Sequence, residues 1–249
     1  MKLSIIFPLK NQTDKVIENI KNKVIPYFDG FSALTYEIIV SPNGSEREED
    51  GRLRKLASEI GPVVRVLPLA STAGKGIGVK EGILASNGDY DLVMDADLAT
   101  DLKAFDLIYP DLGKFDAFVA DRDMEGSDAD HGHLIRKLAH RISKNMVARR
   151  FGLKEIRDTQ CGFKCFRHSV ALLMVERQRL SGIAYDVEHS YFLTLNHYKI
   201  KPIPVKWEND KDTSIPFFSA SASFSRDLRD IKKHRESYIL DENKKGKKE

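Results

Sequence analysis

Between Leu3 and Met94, short runs of branched and aromatic residues alternate with stretches of helical periodicity, and this alternation constrains the fold more than any other feature of the chain. The runs Leu3–Phe7, Glu37–Val40, Val63–Leu67 and Asp91–Met94 read as strands. Between them lie Thr13–Tyr27, with Val16, Ile17, Ile20 and Val24 on one face, a helix carrying Leu53, Leu56 and Ile60, and a helix from Ile77 to Ala85. Strands separated by helices predict a parallel sheet with right-handed crossovers, in which ligands bind beyond the carboxyl ends of the strands. Each run ends in polar, glycine-bearing or acidic sequence: Pro8-Leu9-Lys10-Asn11, Ser41-Pro42-Asn43-Gly44-Ser45, Ser71-Thr72-Ala73-Gly74-Lys75-Gly76 and Asp95-Ala96-Asp97. The four ends are expected to converge on one rim.

Beyond Asp97 the rhythm loosens. The pattern predicts a helix over Leu102–Leu112, a strand Ala117–Ala120, a polar loop Asp121–Asp130 and a long helix from His131 to Phe151. A strand at Gly162–Phe166, helices Val170–Glu176 and Asp186–Leu195, and a strand Lys199–Lys206 follow, a mixed continuation of the same sheet. The Ser-rich segment Lys211–Ser223, with Pro216-Phe217-Phe218, reads as a mobile flap, and Arg226–Leu240 as a charged helix before a lysine-rich tail.

Composition narrows the class. With 249 residues, 41% of them hydrophobic, and only 9 prolines and 16 glycines, the chain has material for a real core and is neither disordered nor fibrous. Forty Lys and Arg against 37 Asp and Glu leave a net charge of +3, which gives no reason to expect nucleic acid as a partner. Two cysteines, Cys161 and Cys165, are too few for a disulfide framework or a closed zinc site, so a reducing compartment is expected. Pro8 and Lys10 cut the first apolar run short of a signal-peptide core, and Val170–Val175 falls far short of the ~20 residues that span a bilayer. Any membrane contact is then peripheral.

Asp95 and Asp97 stand two apart at the end of a strand, so both carboxylates face the same side of the rim. Such a pair suits Mg2+ or Mn2+ bound also to phosphate oxygens. Gly74-Lys75-Gly76-Ile77-Gly78 precedes a helix and admits two readings: backbone N–H groups and Lys75 meeting an anion, or glycines chosen for tight packing. From His131 to Lys154 no acidic residue occurs. Ile135, Leu138, Ile142 and Met146 mark a buried stripe there, placing Arg136, Lys137, His140 and Lys144 on the opposite face. That face is either simply solvated or a seat for the phosphate of a substrate or lipid head group. His131 and His133 have no third partner nearby and read as loop residues. Cys161 and Cys165 are expected on one face of a strand as small apolar groups. Asp186 and Glu188 open an amphipathic helix, either as first-turn acids favoured by the helix dipole or as a general base. Trp207 is a core residue or a stacking platform for a sugar.

Taken in order, Phe7-Pro8 with Asn11, Asn43-Gly44-Ser45, Gly74-Lys75-Gly76, Asp95-Ala96-Asp97-Leu98, Asp158-Thr159-Gln160-Cys161-Gly162-Phe163-Lys164, Tyr185-Asp186-Val187-Glu188 and Ile203-Pro204-Val205-Lys206-Trp207 resemble the family 2 inverting glycosyltransferases of the dolichyl-phosphate glucose and mannose synthase type. The set spans roughly residues 1 to 235. The Gly-Lys-Gly and Asp-Thr-Gln-Cys-Gly-Phe-Lys forms lean toward the glucose branch.

The resemblance implies an α/β, GT-A fold: a single Rossmann-like domain with a mixed, mainly parallel central sheet flanked by helices. It would occupy residues 1–241, with a nucleotide-binding half 1–97, an acceptor half 98–210, a flap and C-terminal helix 211–241, and a basic tail 242–249. The resemblance also assigns roles. Asp95 would face the ribose and a Mg2+ or Mn2+ ion, and Asp97 would hold that ion on the donor diphosphate. Pro8, Asn11, Asn43 and Lys75 would surround the nucleotide, and Arg122 and Arg136 would lie near phosphate. Gln160 and Asp158 would line the sugar and acceptor side, and Asp186 and Glu188 would stand on the acceptor helix, needed as bases only if the acceptor is a hydroxyl. The implied reaction moves a hexose from a UDP-glucose or GDP-mannose type donor to a polyprenyl phosphate, in the cytoplasm or at the cytoplasmic face of a membrane. A glycan or soluble acceptor, and a non-catalytic nucleotide-sugar binding module, are the alternatives.

Overall fold

The first run is realised as β1 (Lys2–Leu9), whose side chains alternate: Leu3, Ile5, Phe7 and Leu9 enter one apolar layer and Ile6 the other. The structure is a computed structural model and describes residues 1–129, 144–208 and 222–241. β1, β2 (Thr35–Pro42), β3 (Val64–Val66), β4 (Tyr90–Met94), β5 (Ala117–Asp121), β7 (Phe163–Arg167) and β8 (Ile200–Pro204) form one sheet in the order β3-β2-β1-β4-β7-β5-β8. A separate parallel ribbon joins β6 (Asp128–Ala129) to β9 (Lys206–Trp207). The strands from β3 to β4 are parallel, β7 runs antiparallel to both β4 and β5, and β8 is parallel to β5. Apolar layers cover both faces, as a largely parallel sheet requires.

The first predicted helix is α1 (Thr13–Asn19), a π-helical turn (Ile20–Val24) and α2 (Ile25–Phe28) in unbroken succession. Pro26 lacks the N–H that regular helix would give to residue 22, and the widened turn just before it absorbs the mismatch. α3 (Arg47–Ile60) and α4 (Lys75–Ala85) follow as expected, α4 opening two residues early. The helix expected over Leu102–Leu112 is instead two 3-10 turns, Leu102–Leu107 and Tyr109–Asp111; the Asp101 carboxylate caps the first and Pro110 opens the second. α5 (His168–Glu176), α6 (Tyr185–Leu195) and α7 (Ala222–Lys233) complete the layers, the charged C-terminal helix ending in a 3-10 turn, Arg235–Tyr238. α6 is not amphipathic. Every residue from Tyr185 to Leu193 is buried, including Asp186, Glu188, His189 and Ser190.

Residues 144–151 are helical, the described end of the basic helix, and here the expected face is rotated. Met146 is 51% exposed, whereas Val147 and Phe151 enter the core. The Lys144 side chain, expected outside, is only 7% exposed, with Asp121 and Asp123 at the end of β5 approaching its ammonium at 3.0 and 2.7 Å. Paired acids offset the desolvation that would otherwise keep a lysine in water. Arg136, His131, His133, the flap Lys211–Ser223 up to residue 221 and the tail 242–249 lie outside the described residues.

Candidate active site

The carboxyl ends of β1, β2 and β4 meet at one edge of the sheet. Asn43 is buried there, its backbone N–H donating to the Leu9 carbonyl at 2.7 Å, while the Asn11 N–H donates to the Ser45 hydroxyl at 3.0 Å. Gly78 on α4 lies beneath Pro8 and Asn43, so close that a Cβ would stand 2.4 Å from the Asn43 amide nitrogen. Asn11 and Leu98 both take left-handed φ values, 48° and 51°. For residues with a Cβ this is uncommon backbone, and two of its instances fall in the loops of the rim.

Asp95 and Asp97 leave β4 on this edge. Asn19 steadies the turn by donating to the Ala96 carbonyl at 2.9 Å, and Asp97 Oδ1 accepts from the Ala99 N–H at 3.0 Å. Lys75 Nζ lies 2.5 Å from Asp95 Oδ1. Burial opposes the charge on Lys75, but Asp95, Asp186 and Asp97 together outweigh it and hold its pKa above the ordinary lysine value. Burial, and then the neighbouring charge of Asp95, push Asp97 above the usual carboxylate range. A cation bound at Asp97 would relieve both effects, the burial of its charge and the repulsion from Asp95.

The glycines flanking Lys75 serve packing, not anion contact. The Gly76 N–H donates to the Ser181 carbonyl at 2.9 Å, and a Cβ on Gly74 would stand 2.2 Å from that same oxygen. Gly74 also has φ +147°, which side chains rarely adopt. Of the two readings of Gly74-Lys75-Gly76, the backbone follows the packing one, and Lys75 alone turns to the rim.

Beyond β4, Asp158 grips Arg122 through three contacts: Nε to Oδ2 at 2.7 Å, Nη2 to Oδ1 at 2.9 Å, and the Arg122 N–H to Oδ2 at 3.2 Å. Arg122 also stacks over Trp207, its guanidinium carbon 5.1 Å from the ring centroid. Trp207 is thus a platform for this side chain. Gln160 follows on the same loop, its N–H donating to Asp158 Oδ1 at 3.2 Å. Gly162 is pressed against the Asp95 carboxylate, with room for no side chain. Lys164, on β7, donates to Asp186 Oδ1 and to the Cys161 carbonyl. The structure thus brings Lys75, Asp95, Asp97, Asp186 and Lys164 into one charged group. It keeps Glu188 apart, its oxygens taken by the N–H groups of Arg179 (2.7 Å) and Leu180 (3.0 Å) and the Tyr238 hydroxyl (2.7 Å).

Residues 4–172 match the family described as Glycosyl transferase family 2. The chain belongs to this family. It is similar to dolichyl-phosphate beta-glucosyltransferases: 28% identical to that of Dictyostelium discoideum, over 91% of this chain and 72% of the relative, and 28% identical to the human protein, over 88% and 71%. In three dimensions it resembles glucosyl-3-phosphoglycerate synthase from Mycobacterium tuberculosis in complex with Mn2+ and uridine-diphosphate-glucose. That likeness has a TM-score of 0.63 at 15% identity and covers 96% of this chain and 80% of that one. The fold is GT-A, and the chain is a glycosyltransferase.

In a family 2 glycosyltransferase the acidic edge can be tested as a metal site. Two carboxylates with free oxygens match a hard divalent cation that takes its remaining ligands from substrate phosphates and water. The Lys75 ammonium against Asp95 shows that positive charge is accommodated there. Among the described residues no three His, Cys, Asp or Glu side chains gather as a closed cage. The donor set fits an ion shared with substrate.

The sequence presents Lys164 within the Asp158–Lys164 motif without a role, and it does not single out the loop 178–181. The signal for Lys164 was a lone charge inside Phe163-Lys164-Cys165-Phe166, an apolar strand where a lysine needs a buried partner. Nothing local marks Ser181 as the residue seated on Gly76.

Proposed function

We propose that this glycosyltransferase moves a hexose, of the kind carried by UDP-glucose or GDP-mannose, onto a polyprenyl phosphate with inversion at the anomeric carbon. Asp95 and Asp97 would hold Mg2+ or Mn2+ on the donor diphosphate, and that ion supplies neutralisation of the charge developing on the departing nucleoside diphosphate. Lys75 adds a fixed positive charge at the same edge. Pro8, Asn11 and Asn43 border the nucleotide, and Gln160 faces the sugar. Its Nε2 is buried with no acceptor among the described residues, a donor that a sugar or phosphate oxygen would satisfy. Arg122 is held rigid by Asp158 and Trp207 at the end of β5.

The observation that carries the choice of acceptor is the commitment of both candidate bases. Lys164 holds Oδ1 of Asp186, and three donors occupy both oxygens of Glu188, so both acids are already engaged by groups of the protein. A phosphate acceptor arrives ionised at neutral pH and needs no base, whereas a hydroxyl does. The similarity to dolichyl-phosphate beta-glucosyltransferases supports the same acceptor class.

We place the reaction at the cytoplasmic face of a membrane, met peripherally. Among the described residues no helix is long and apolar enough to cross a bilayer. Support for surface contact comes from Met146, exposed beside the exposed Arg149 and Arg150, an apolar group among cations of the kind that anionic head groups attract. Both cysteines are free and buried, in keeping with a reducing compartment.

The test is release of nucleoside diphosphate from a panel of nucleotide sugars with Mn2+ or Mg2+, with and without polyprenyl phosphate. Release that depends on the lipid phosphate is the expected result. Equal release with a soluble or glycan acceptor would replace the acceptor assignment, and no release from any donor would replace the enzyme with a binding module.

A further inference from the structure

Glu188 is a buried carboxylate that the proposed chemistry leaves unused, and its partners trace a continuous path to the donor edge. Burial pushes its pKa up, and the N–H groups of Arg179 and Leu180 and the Tyr238 hydroxyl answer with three hydrogen bonds. The next residue of the loop, Ser181, accepts from the Gly76 N–H at 2.9 Å. Gln178 grips the same glycine from its other side, Nε2 donating to the Gly76 carbonyl at 2.9 Å and to the Leu180 carbonyl at 2.7 Å, while its Oε1 meets His189 Nε2 at 2.9 Å. Gly76 is thus held at both backbone polar groups by one loop, and its neighbour Lys75 is the side chain that reaches Asp95.

Tyr238 belongs to the C-terminal segment, which enters the path from outside the donor half. Asn196, at the C-terminal end of α6, fixes its backbone, donating to the Tyr238 carbonyl and accepting from the Leu240 N–H, both at 2.8 Å. Arg179, in the loop, reaches Asp230 at 3.6 Å and His234 at 3.3 Å, on and just after α7. Two parts of the chain far apart in sequence, the start of α4 and residues 230–240, therefore meet through the loop that seats Lys75.

We propose that Glu188 and Tyr238 are positioning residues: together they lock the loop 178–181 against Gly76, set Lys75 on Asp95, and so tie donor affinity to the docking of the C-terminal segment. The proposal rests on the donor-edge assignment made above and adds to it residues that touch neither donor nor acceptor. A purely structural role would lower thermal stability alone; a positioning role moves donor binding at constant fold.

The experiment compares wild type, Tyr238→Phe, Glu188→Gln and Tyr90→Phe, measuring calorimetric binding of UDP in the presence of Mn2+, KM and kcat for the donor, and the unfolding midpoint. Tyr90 is the control. Its hydroxyl makes hydrogen bonds to Phe115 and Gly113, away from the loop, so Tyr90→Phe lowers the midpoint and leaves UDP affinity unchanged. Tyr238→Phe removes one oxygen and is expected to weaken UDP binding and raise donor KM about fivefold to tenfold, the worth of one buried hydrogen bond, with kcat at saturating donor preserved. Glu188→Gln, which retains one acceptor oxygen but turns an amide toward a backbone N–H, is expected to act in the same direction and more strongly. Unchanged UDP affinity in both variants overturns the inference while leaving the donor assignment intact. A wild type that binds neither UDP nor GDP with Mn2+ overturns both.

Discussion

Replacing Gly162 by alanine perturbs the donor edge without removing any charged group. A Cβ there would stand 1.9 Å from Asp95 Oδ2 and 2.3 Å from its Cγ. Ordinary contact begins near 3.4 Å, so the carboxylate must withdraw by about 1.5 Å, the difference of the two distances. Gly162 is not among the glycines with left-handed φ, so the backbone accepts alanine and the cost is steric. The withdrawal breaks the 2.5 Å approach of Lys75 and shifts the first of the two carboxylates assigned to the cation. Overpacking of this kind costs about 1–3 kcal/mol of stability. Displacing a catalytic group by about 1 Å costs on the order of 10²-fold in rate, equivalent to ~2.7 kcal/mol at the transition state. The assay is Mn2+-dependent release of nucleoside diphosphate with polyprenyl phosphate, run beside thermal unfolding. The expected result is a loss of about 10²-fold in kcat/KM with a midpoint only a few degrees lower. A folded Gly162→Ala enzyme as active as wild type would refute the assignment of Asp95 to the working edge.

Three further outcomes are expected. Asp97→Asn removes a charge that burial and Asp95 both disfavour, so the metal-free protein should melt no lower than wild type while Mn2+-dependent turnover disappears; retained turnover would end the metal assignment. Asp91, at the opposite end of β4 and 0% exposed, is raised by burial to about 6 despite hydrogen bonds from Ser86 and with His168. Because its folded pKa exceeds the ordinary 3.8, the stability it contributes is full below pH ~3.8 and is lost as pH rises through ~6, about 3 kcal/mol in all. Urea unfolding at pH 7.5 and pH 4.5 should therefore show Asp91→Asn gaining on wild type at the higher pH, and parallel curves would contradict it. Arg122→Lys keeps the charge but loses the fork on Asp158 and the stacking on Trp207, and should cost about 2 kcal/mol by the same measurement; no change in stability would show the pair to be dispensable.

The sequence and the structure agree where one local rule suffices. Short runs of β-forming residues, Leu3–Phe7 and Asp91–Met94, identified the strands, and the polar ends that follow them do share an edge. The disagreements come from partners distant in sequence. Lys144 sits where helical periodicity places a solvated cation, yet Asp121 and Asp123 draw it inward and turn Met146 out. Gly74 and Gly76 look like a cradle for an anion, but Leu180 and Ser181 occupy the space beside them. Asp186 and Glu188 look equivalent on a helix turn, and only the positions of Lys164 and Tyr238 separate their fates. Periodicity assigns a face; it does not say which face finds a counter-charge.

The reversed strand β7 has a consequence for how the molecule is made. β4 and β5 follow one another in the chain, yet β7 lies between them, pairing Met94 with Phe163 on one side and Phe118 with Cys165 on the other. During synthesis the first four strands can assemble from near neighbours, but the free edge of β4 waits for Phe163–Arg167 to emerge. Such long-range pairing comes late in folding, and until it happens two strand edges stay open to other chains. Gly162 reaches Asp95 only with that insertion, so the proposed donor edge is completed by the same event that joins β4 to β5 through β7. If Asp95 holds the donor as proposed, a nascent chain has no finished donor site until β7 is in place.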